Sequence, residues 1–384
     1  MVASAFELSE RLREPVVLRV VTRLAHSRAA VEVGEPLAEK PLNVSTERWV
    51  LLPGIARKRY DALIAKQPEM EQAAEDSIYN KVEQCAEAPR LGIVACGIAY
   101  NYVKEAVGEK VNLLKVSQYP LPAAAVQALA ASNDAILVVE DGQPVVEEQV
   151  KGLLGAGYPV KGRLTGDLPR TGELTPDAVA RALGKEVVTY FAKPEVVEQR
   201  PPALCQGCGH RDMYTALNEV VAEYPTAKVF SDIGCYTLGA LPPFRAIDSC
   251  IDMGASITMA KGAADAGLYP ALAVIGDSTF THSGMTGLLD CVNEQANVTI
   301  VISDNETTAM TGGQDSAGTG RLEAICAGIG VDPAHIRVMI PLKKNYEEMK
   351  AIIREEIEYK GVSVLIPRRE CIQTLARKKK AQKK

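Results

Sequence analysis

The most informative part of the sequence is the stretch Ala271-Leu-Ala-Val-Ile-Gly-Asp-Ser-Thr-Phe-Thr-His-Ser-Gly284, in which an apolar run ends abruptly in Gly-Asp-Ser. A helix-like segment over 285–296 follows, and a second apolar run over 298–302 then ends in Asp304-Asn305. This alternation predicts two buried parallel strands, whose carboxyl ends meet at one edge of a sheet. Because open α/β sheets bind ligands at that edge, we expect Asp277 and Asn305 to face the same point.

Asp277 and Asn305 have the chemistry of a metal–diphosphate site. Carboxylate and amide oxygens suit Mg²⁺, which usually completes its octahedron with phosphate oxygens and water. Gly-Asp-Ser alone is also ordinary turn chemistry. With Asn305 it resembles the thiamine diphosphate motif, and here 26 residues, Thr279 to Asp304, separate Ser278 from Asn305. The resemblance implies thiamine diphosphate and a Mg²⁺ ion held by the side chains of Asp277 and Asn305 and by the backbone carbonyl of Thr307.

Length and composition limit the class of protein. The chain has 384 residues and 47% hydrophobic content, which is enough for two or three α/β domains. No apolar run approaches the roughly 18 residues of a membrane span, and residues 1–10 lack the features of a signal peptide, so we expect a cytoplasmic protein. A net charge of −5 at pH 7 does not favour nucleic acid as a partner.

The pattern of apolar runs and Gly/Pro-rich stretches predicts six segments. Residues 1–35 contain one helix (5–12), one strand (15–21) and a polar loop (22–28), which cannot form a core and must pack on another domain or chain. The other segments are a linker with a charged helix over 56–87 (36–89), a parallel α/β domain (90–155), a second linker (156–199), the cofactor domain (200–375) and a basic tail (376–384).

Nine cysteines in a cytoplasmic protein indicate metal or redox chemistry rather than disulfides. Cys205-x-x-Cys208 lies in a Pro/Gly-rich loop before a helix, where two thiols can reach one metal site; a redox dithiol and half of a zinc site are the alternatives. Cys235 and Cys371 each follow the end of a predicted strand. The remaining five are interpreted as small buried hydrophobes: Cys85, Cys96, Cys250, Cys291 and Cys326.

Four motifs together resemble one family over the whole chain: Cys205-x-x-Cys208-Gly-His, Asp232-Ile-Gly-Cys235-Tyr-Thr-Leu-Gly, Gly276-Asp-Ser-Thr-Phe-Thr-His-Ser-Gly and Asp304-Asn-Glu-Thr-Thr-Ala-Met-Thr-Gly. They are similar to the α subunit of indolepyruvate:ferredoxin oxidoreductase, in the 2-oxoacid:ferredoxin oxidoreductase family. The resemblance implies a thiamine-diphosphate-enzyme fold, with doubly wound parallel sheets and helices on both faces. It further implies oxidative decarboxylation of a 2-oxo acid, an aryl pyruvate such as indolepyruvate, to an acyl-CoA, with coenzyme A as co-substrate and ferredoxin as electron acceptor.

The resemblance also implies roles for particular residues. A four-iron four-sulfur (4Fe-4S) cluster is expected on Cys205, Cys208, Cys235 and Cys371. Catalytic roles are expected for His282, His26 and Arg28, although His282 could instead hold its loop and the other two could lie in a surface loop. His210 is expected to satisfy backbone groups of its loop rather than to bind the cluster. Cofactor contacts are expected from Gly276, Asp277, Ser278, Thr279, Asn305, Thr307, Thr308, Met310, Gly234, Asp252 and Gly254.

Two departures from the family pattern predict partner subunits, while residues 90–155 resemble the transketolase C-terminal domain. The first segment resembles only the remnant of a pyrimidine-type domain, and a Lys-rich run follows Cys371 where the family usually has a ferredoxin-like domain with repeated Cys-x-x-Cys-x-x-Cys. We therefore expect the activating glutamate on a pyrimidine-domain subunit, and electron transfer through a γ/β-type subunit and a ferredoxin-like subunit. Two alternatives remain open: a non-oxidative thiamine-dependent decarboxylase or synthase subunit, and a non-catalytic metal-binding scaffold.

Overall fold

The computed structural model describes residues 1–36, 38–39, 49–85, 90–187, 194–198 and 200–382. Parts of both predicted linkers and the last two lysines of the predicted tail lie outside these residues. The chain forms two compact units, Met1–Lys193 and Pro194–Lys384. The predicted cofactor domain is therefore contained in the second unit, which also includes the end of the second predicted linker, and the predicted segments before that point belong to the first.

The first unit contains a five-stranded sheet. Its strands are β1 (Lys81–Glu83), β2 (Leu91–Cys96), β3 (Asn112–Val116), β4 (Ala135–Val139) and β5 (Val160–Lys161). Its helices are α1 (Val2–Leu12), α2 (Thr22–His26), α3 (Pro53–Glu75), α4 (Ala99–Val107), α5 (Ala123–Ala131), α6 (Val145–Leu154) and α7 (Pro176–Ala182). The strand order is β1-β3-β2-β4-β5, with β1 antiparallel to β3 and the other pairs parallel.

The core of the first unit includes much of the predicted second linker. Helices α4 and α7 cover one face of the sheet, where Leu168, Leu174 and Val179 are buried, and α5 and α6 cover the other. The short strand β5 also comes from this segment and pairs with β4. Residues 156–182 therefore contribute to the fold of this unit and do not merely connect two domains.

The amino-terminal prediction is wrong in two places. Residues 15–20 form no strand, and the predicted polar loop contains the short helix α2. A strand needs a neighbour that satisfies its backbone groups, and this run has none in the described part of the chain; Val17 is 88% exposed. Helix α1 does pack within the unit, because Lys66 Nζ on α3 donates to the Leu12 carbonyl at 2.8 Å.

The predicted charged helix is shorter than expected. Helix α3 ends at Glu75, and part of the remaining prediction is the antiparallel strand β1. The end of the predicted helix, 86–87, lies outside the described residues. None of the helices in the described ranges is both long enough and apolar enough to cross a bilayer.

The second unit contains a five-stranded, wholly parallel sheet and a small hairpin. Its strands are β6 (Lys228–Ser231), β7 (Ala271–Gly276), β8 (Val298–Ser303), β9 (Thr307–Thr308), β10 (Gln314–Asp315), β11 (Ile336–Met339) and β12 (Val362–Pro367). Its helices are α8 (Gly209–Val221), α9 (Ala255–Asp265), α10 (Asp277–Thr279), α11 (Met285–Asn293), α12 (Leu322–Ile329), α13 (Tyr346–Glu358) and α14 (Ile372–Ala381). Three short 3₁₀ turns cover Cys235–Ala240, Pro333–His335 and Lys343–Asn345, and a π-helical turn covers Phe280–Gly284.

Helices on both faces of the second sheet confirm the predicted fold class. The strand order is β11-β12-β8-β7-β6, and every residue of β7, β8 and β12 is buried. Helices α8 and α13 pack on one face, and α9, α11 and α12 pack on the other. Strands buried on both faces are predominantly apolar, which is why these three read as nearly continuous apolar runs in the sequence. The buried hydroxyls of Thr299 and Ser363 both donate to the Glu356 carbonyl. The carboxyl ends of the three strands carry the polar motifs.

Candidate cofactor site

The polar residues after β7, β8 and β12 are brought together by strand register. Gly276 pairs with Ser303, so Asp277 and Asp304 follow directly on neighbouring strands. Asp304 in turn forms a parallel bridge with Arg368, the residue after β12. The sequence prediction that these polar clusters reach one edge of the sheet therefore matches the strand pairing.

Asp277 is a buried carboxylate with an unused acceptor. Its side chain is 2% exposed, and its Oδ2 atom has no hydrogen-bond partner among the described residues. Burial raises the pKa of Asp277 to about 6, a hydrogen bond with Ser316 opposes the rise, and the nearby Asp304 charge adds to it. A buried unpaired carboxylate is costly unless a cation accompanies it. The Asp277 side chain therefore fits a divalent cation.

Asn305 is held by groups on both sides of its amide. Its Oδ1 accepts a hydrogen bond from the Thr307 N–H at 3.2 Å, and its Nδ2 lies 3.4 Å from His210 Nε2. Because the amide nitrogen can only donate, His210 Nε2 must be the acceptor. Burial lowers the pKa of His210 to about 4, so its ring stays neutral and can accept this bond near pH 7. His210 is thus a positioning partner of Asn305.

Three loops are tied together around Asp277. Ser278 and Thr308 share a hydrogen bond of 2.8 Å, and Thr279 Oγ1 donates to the Ile233 carbonyl at 3.1 Å, next to Gly234. The Ile233 N–H donates to the Asp252 carbonyl at 2.7 Å. The structure therefore groups most of the residues predicted to contact thiamine diphosphate, and their cofactor contacts remain predictions.

Gly254 is required where the 252–254 loop meets the segment after Asp277. Its φ is +104°, and a Cβ atom there would lie 2.1 Å from Ser283 Oγ. That hydroxyl donates to the Met253 carbonyl at 2.5 Å and also lies 3.0 Å from His282 Nδ1. The loop and the segment are thus held in close contact. The exposed side chain of His282 borders this contact.

The four cysteines of the predicted cluster line one cavity of about 190 Å³, together with His210 and Asn305. This volume is far larger than a single water molecule needs. Cys371 reaches it because the segments after β8 and β12 continue side by side: the Arg369 N–H donates to Asp304 O at 2.9 Å and the Cys371 N–H to Asn305 O at 3.1 Å. Cys208 reaches it because it directly precedes α8, and the start of this helix packs closely against the segment after β12. A Cβ atom on Gly209 would lie only 3.1 Å from Arg369 Cβ.

The cavity brings together thiols whose ionised forms would repel one another and the amino termini of two helices. Burial raises the pKa of Cys208, and raises that of Cys235 to about 11, with the other thiols of the group adding to both increases. Cys208 and Cys371 are the N-cap residues of α8 and α14, and Cys235 opens a 3₁₀ turn. Helix amino termini favour negative charge, so a bound cluster with its thiolates would be supported there. The donor set and its position fit an iron–sulfur cluster.

The geometry does not match a single-ion site. Within the described ranges, no group of three or more His, Cys, Asp or Glu side chains is arranged to hold one metal ion. A structural zinc ion binds its ligands on one centre, whereas a cluster distributes four thiolates over several irons. All nine cysteines are free thiols, so no disulfide ties the Cys205–Cys208 pair.

Three further predicted site residues are exposed. Met310 is 63% exposed beyond the β9 strand. His26 and Arg28 are exposed residues of the first unit, at and just after the end of α2. Their catalytic roles remain predictions.

Two charged residues near the site were given no role in the sequence analysis. Arg368 binds the buried Asp304 through Nε at 2.6 Å, and Asp232 accepts a bond from Ser256 Oγ at 2.6 Å and another from the Tyr236 hydroxyl. Burial raises the pKa of Asp232, while the Ser256 and Tyr236 bonds oppose the rise. Both residues come directly after a strand, the buried β12 or the partly buried β6, and a polar residue at a strand end is the same signal that identified Asp277.

Residues 232–366 match the protein family described as thiamine pyrophosphate enzyme, C-terminal TPP binding domain. This region of the chain is therefore similar to the cofactor-binding domain of thiamine pyrophosphate enzymes. The match runs from Asp232 to Ile366 and so includes the Asp277 and Asn305 motifs. The match agrees with the cofactor motif predicted from Asp277 and Asn305.

The relatives agree with the family inferred from the motifs. The chain is 36% identical to the indolepyruvate oxidoreductase subunit IorA of Methanothermobacter marburgensis, over 96% of this chain and 64% of that protein. It is 34% identical to the same subunit of Pyrococcus abyssi, over 97% of this chain and 64% of that protein. The chain thus spans 64% of the length of each of these relatives. Among solved structures, it is similar to a 2-oxoglutarate:ferredoxin oxidoreductase from Magnetococcus marinus, with TM-score 0.38 and 20% identity over 48% of this chain and 72% of that chain.

Proposed function

We propose that this chain is the thiamine-binding subunit of a 2-oxoacid:ferredoxin oxidoreductase that acts on an aryl pyruvate such as indolepyruvate. The observation that carries the proposal is that Asn305, at the carboxyl edge of β8, lines the same cavity as the four cysteines. A residue proposed to bind the metal ion of the diphosphate site therefore lies next to the cysteines proposed to bind the iron–sulfur cluster. The names of the relatives support the choice of an aryl pyruvate.

In this proposal the second unit holds Mg²⁺ through the side chains of Asp277 and Asn305 and the carbonyl of Thr307. The cofactor contacts come from Gly276, Ser278, Thr279, Thr308, Met310, Gly234, Asp252 and Gly254. Thiamine diphosphate supplies the carbanion stabilisation that allows a 2-oxo acid to lose carbon dioxide. The unused Oδ2 of Asp277 and the fixed amide of Asn305 support these assignments.

His210 has a specific role in the proposal. Its neutral ring accepts a hydrogen bond from the Asn305 amide nitrogen and so fixes the orientation of the amide group. The amide oxygen then faces Thr307, where it is available to the proposed Mg²⁺ ion. His282 is proposed to contact the cofactor or substrate, because its ring is exposed at the junction of the Gly254 loop and the Asp277 segment. His26 and Arg28 are retained as candidates for substrate contacts from the first unit.

Electrons are proposed to leave through a 4Fe-4S cluster on Cys205, Cys208, Cys235 and Cys371. Coenzyme A is the proposed acyl acceptor and ferredoxin the proposed electron acceptor. The proposed partners are a pyrimidine-domain subunit carrying the activating glutamate, a γ/β-type subunit and a ferredoxin-like subunit, in the cytoplasm. Turnover is therefore expected only when the partner that supplies the glutamate is present.

The test is iron analysis of anaerobically prepared protein in four single variants, in which each of the four cavity cysteines is replaced by serine. Each variant should lose iron, its visible absorption band and electron transfer, because a missing thiolate leaves one iron without its ligand. Cys85→Ser is the matched control, since that half-buried thiol belongs to the first unit.

Each other result has a defined meaning. Wild-type protein that binds thiamine diphosphate and Mg²⁺ but no iron would indicate a non-oxidative decarboxylase or synthase. Failure to bind the cofactor, with stoichiometric zinc instead, would indicate a scaffold subunit. If Cys371→Ser alone kept its iron, His210 would be the first candidate for the fourth ligand, because it lines the same cavity.

A further inference from the structure

A second, open cleft of about 790 Å³ lies beside the cysteine cavity, and we refer to it as the basic cleft. Four basic side chains line it, Arg211, Lys343, Lys344 and Arg369, against one acidic side chain, Asp212. One wall is the Cys205-x-x-Cys208 loop, through Gln206, Gly207 and Cys208. The remaining lining is aromatic, apolar or hydroxyl-bearing.

Three of the four positive charges are not neutralised within the cleft. Arg369 is paired with Asp212 at 3.0 Å. Arg211 lies over the Phe244 ring at 5.2 Å and donates to the Leu204 carbonyl. Among the described residues, no carboxylate lies within salt-bridge distance of Arg211, Lys343 or Lys344. Lys343 and Lys344 are exposed on a short 3₁₀ turn. The cleft therefore presents a fixed excess of positive charge to solvent.

The basic cleft and the cysteine cavity share a wall. Cys208 and Arg369 line both. Cys205, Gln206 and Gly207 are exposed, so the loop that is proposed to hold the cluster is itself part of the protein surface. A molecule seated in the cleft would therefore contact the protein shell of the cluster directly.

We propose that the basic cleft and the exposed Cys205–Cys208 loop dock an acidic protein electron acceptor, a small iron–sulfur protein. Opposite charges accelerate the encounter and set its orientation, and docking at this position places the acceptor against the cluster's own ligands. The inference rests on the proposed function, and it specifies where the electrons leave. With a cluster held by these cysteines, each encounter would reduce one ferric iron of the acceptor to ferrous iron by one electron, and no bond or proton would move. The two electrons come from oxidation of the 2-oxo acid to acyl-CoA and carbon dioxide, with release of one proton, so two acceptor molecules are reduced per turnover.

The basic end of α14 is a less suitable surface, although it follows Cys371. Lys378 pairs with Glu370 at 2.7 Å, and Arg377 donates to the Gly312 carbonyl at 2.5 Å. These two cations are therefore already engaged within the unit. Lys379 and Lys380 are exposed and provide a control of equal charge on a helix whose first turn contacts the same loop, through Gln373 and Cys205.

The experiment compares two double variants of the assembled enzyme, Lys343→Glu with Lys344→Glu, and Lys379→Glu with Lys380→Glu. Each is assayed with two acceptors, an acidic ferredoxin and a small neutral quinone dye, over a series of salt concentrations. The cleft variant should reduce ferredoxin at least about tenfold more slowly in kcat/KM at low salt, and its salt dependence should flatten or reverse. Its reduction of the dye, and all rates of the α14 variant, should change by less than about twofold, since the cluster itself is untouched.

Five results would overturn the inference. Unchanged ferredoxin kinetics and salt slope in the cleft variant would show that electrons do not leave through the cleft. A loss of ferredoxin reduction confined to the α14 variant would assign docking to that helix. An equal loss with the dye would indicate damage to the cluster. Saturable ADP binding by the wild type that is lost in the cleft variant would assign the cleft to phosphorylated nucleotides. A wild-type enzyme that reduces neither acceptor would refute the proposed function itself, and the inference with it.

Discussion

Replacing Arg368 with Met would remove the cation that accompanies the buried Asp304. The Arg368 Nε atom lies 2.6 Å from Asp304 Oδ2, and the Asp304 side chain is 0% exposed. After the replacement, the remaining partner of the carboxylate is the Glu306 N–H, at 3.1 Å from Oδ1. The variant should therefore leave a buried charge without its counterion, at the end of β8 and one residue before Asn305.

The size of the effect follows from burial. Removing one partner of a buried ion pair costs about 3–5 kcal/mol. The Arg368 side chain is 26% exposed and one hydrogen bond to Asp304 survives, so we expect the lower end, about 3 kcal/mol. Glu323, the second carboxylate bound by Arg368, is 41% exposed, and Glu323→Gln should cost no more than about 1 kcal/mol. Adding Asp304→Asn to the Arg368 variant should recover part of the loss, because the buried charge is then absent.

The assay is hydrogen exchange of the β8 amides in the full chain, since a chain of two units need not unfold in one step. A loss of about 3 kcal/mol corresponds to exchange roughly a hundredfold faster in β8. The amides of β2, in the first unit, provide an internal reference. Acceleration of less than about tenfold, with no recovery in the double variant, would show that Arg368 does not hold the Asp304 charge.

Three further results are expected. Asp277→Ala should abolish Mg²⁺-dependent binding of thiamine diphosphate while β8 exchange stays unchanged, and undiminished affinity in a calorimetric titration would contradict the metal assignment. Gly254→Ala should weaken cofactor binding at least about tenfold, since its φ is +104° and the new Cβ would lie 2.1 Å from Ser283 Oγ; partial rescue by Ser283→Ala would separate contact from backbone strain. Burial raises the pKa of Glu83, but hydrogen bonds, with the one from Lys104 first, outweigh burial and lower this pKa from 4.5 to about 2. The stabilisation that ionised Glu83 gives the first unit is therefore present above pH 4.5 and is lost as the pH falls toward 2. Glu83→Gln should accordingly destabilise the first unit by about 2 kcal/mol at pH 7 but by much less near pH 2, and a pH-independent difference in denaturant titrations would refute this.

The strands and polar motifs of the second unit could be predicted because their causes are local. A strand buried on both faces is apolar along most of its length, and its end is marked where a cluster of polar residues begins. This rule places Asp277, Asn305 and Cys371 after β7, β8 and β12, where the structure has them. The rule that parallel strands share a carboxyl edge then brings these residues to one side of the sheet.

The same local reasoning failed where a segment depends on a partner. Residues 15–21 have the composition of a strand, yet they form none, because an extended segment becomes a strand only when a neighbouring strand accepts its backbone hydrogen bonds. The Gly/Pro-rich second linker resembled a simple connection, yet Leu174 and Val179 are core residues and β5 extends the sheet. Composition does not reveal which surface a segment will cover.

The contacts that make the site specific depend on strand order and register across the whole unit. The bond from Asn305 to His210 joins residues 95 positions apart in the chain, and that from Arg368 to Asp304 joins residues 64 apart. Cys371 stands beside Asn305 only because β12 neighbours β8 and the two segments remain hydrogen-bonded beyond the sheet. The cysteine spacing predicts thiol ligands, but it contains no information about which strands are adjacent. Strand adjacency arises from the packing of helices on both faces of the sheet, and that packing sets the cysteine cavity beside the residues proposed to bind Mg²⁺ and the diphosphate.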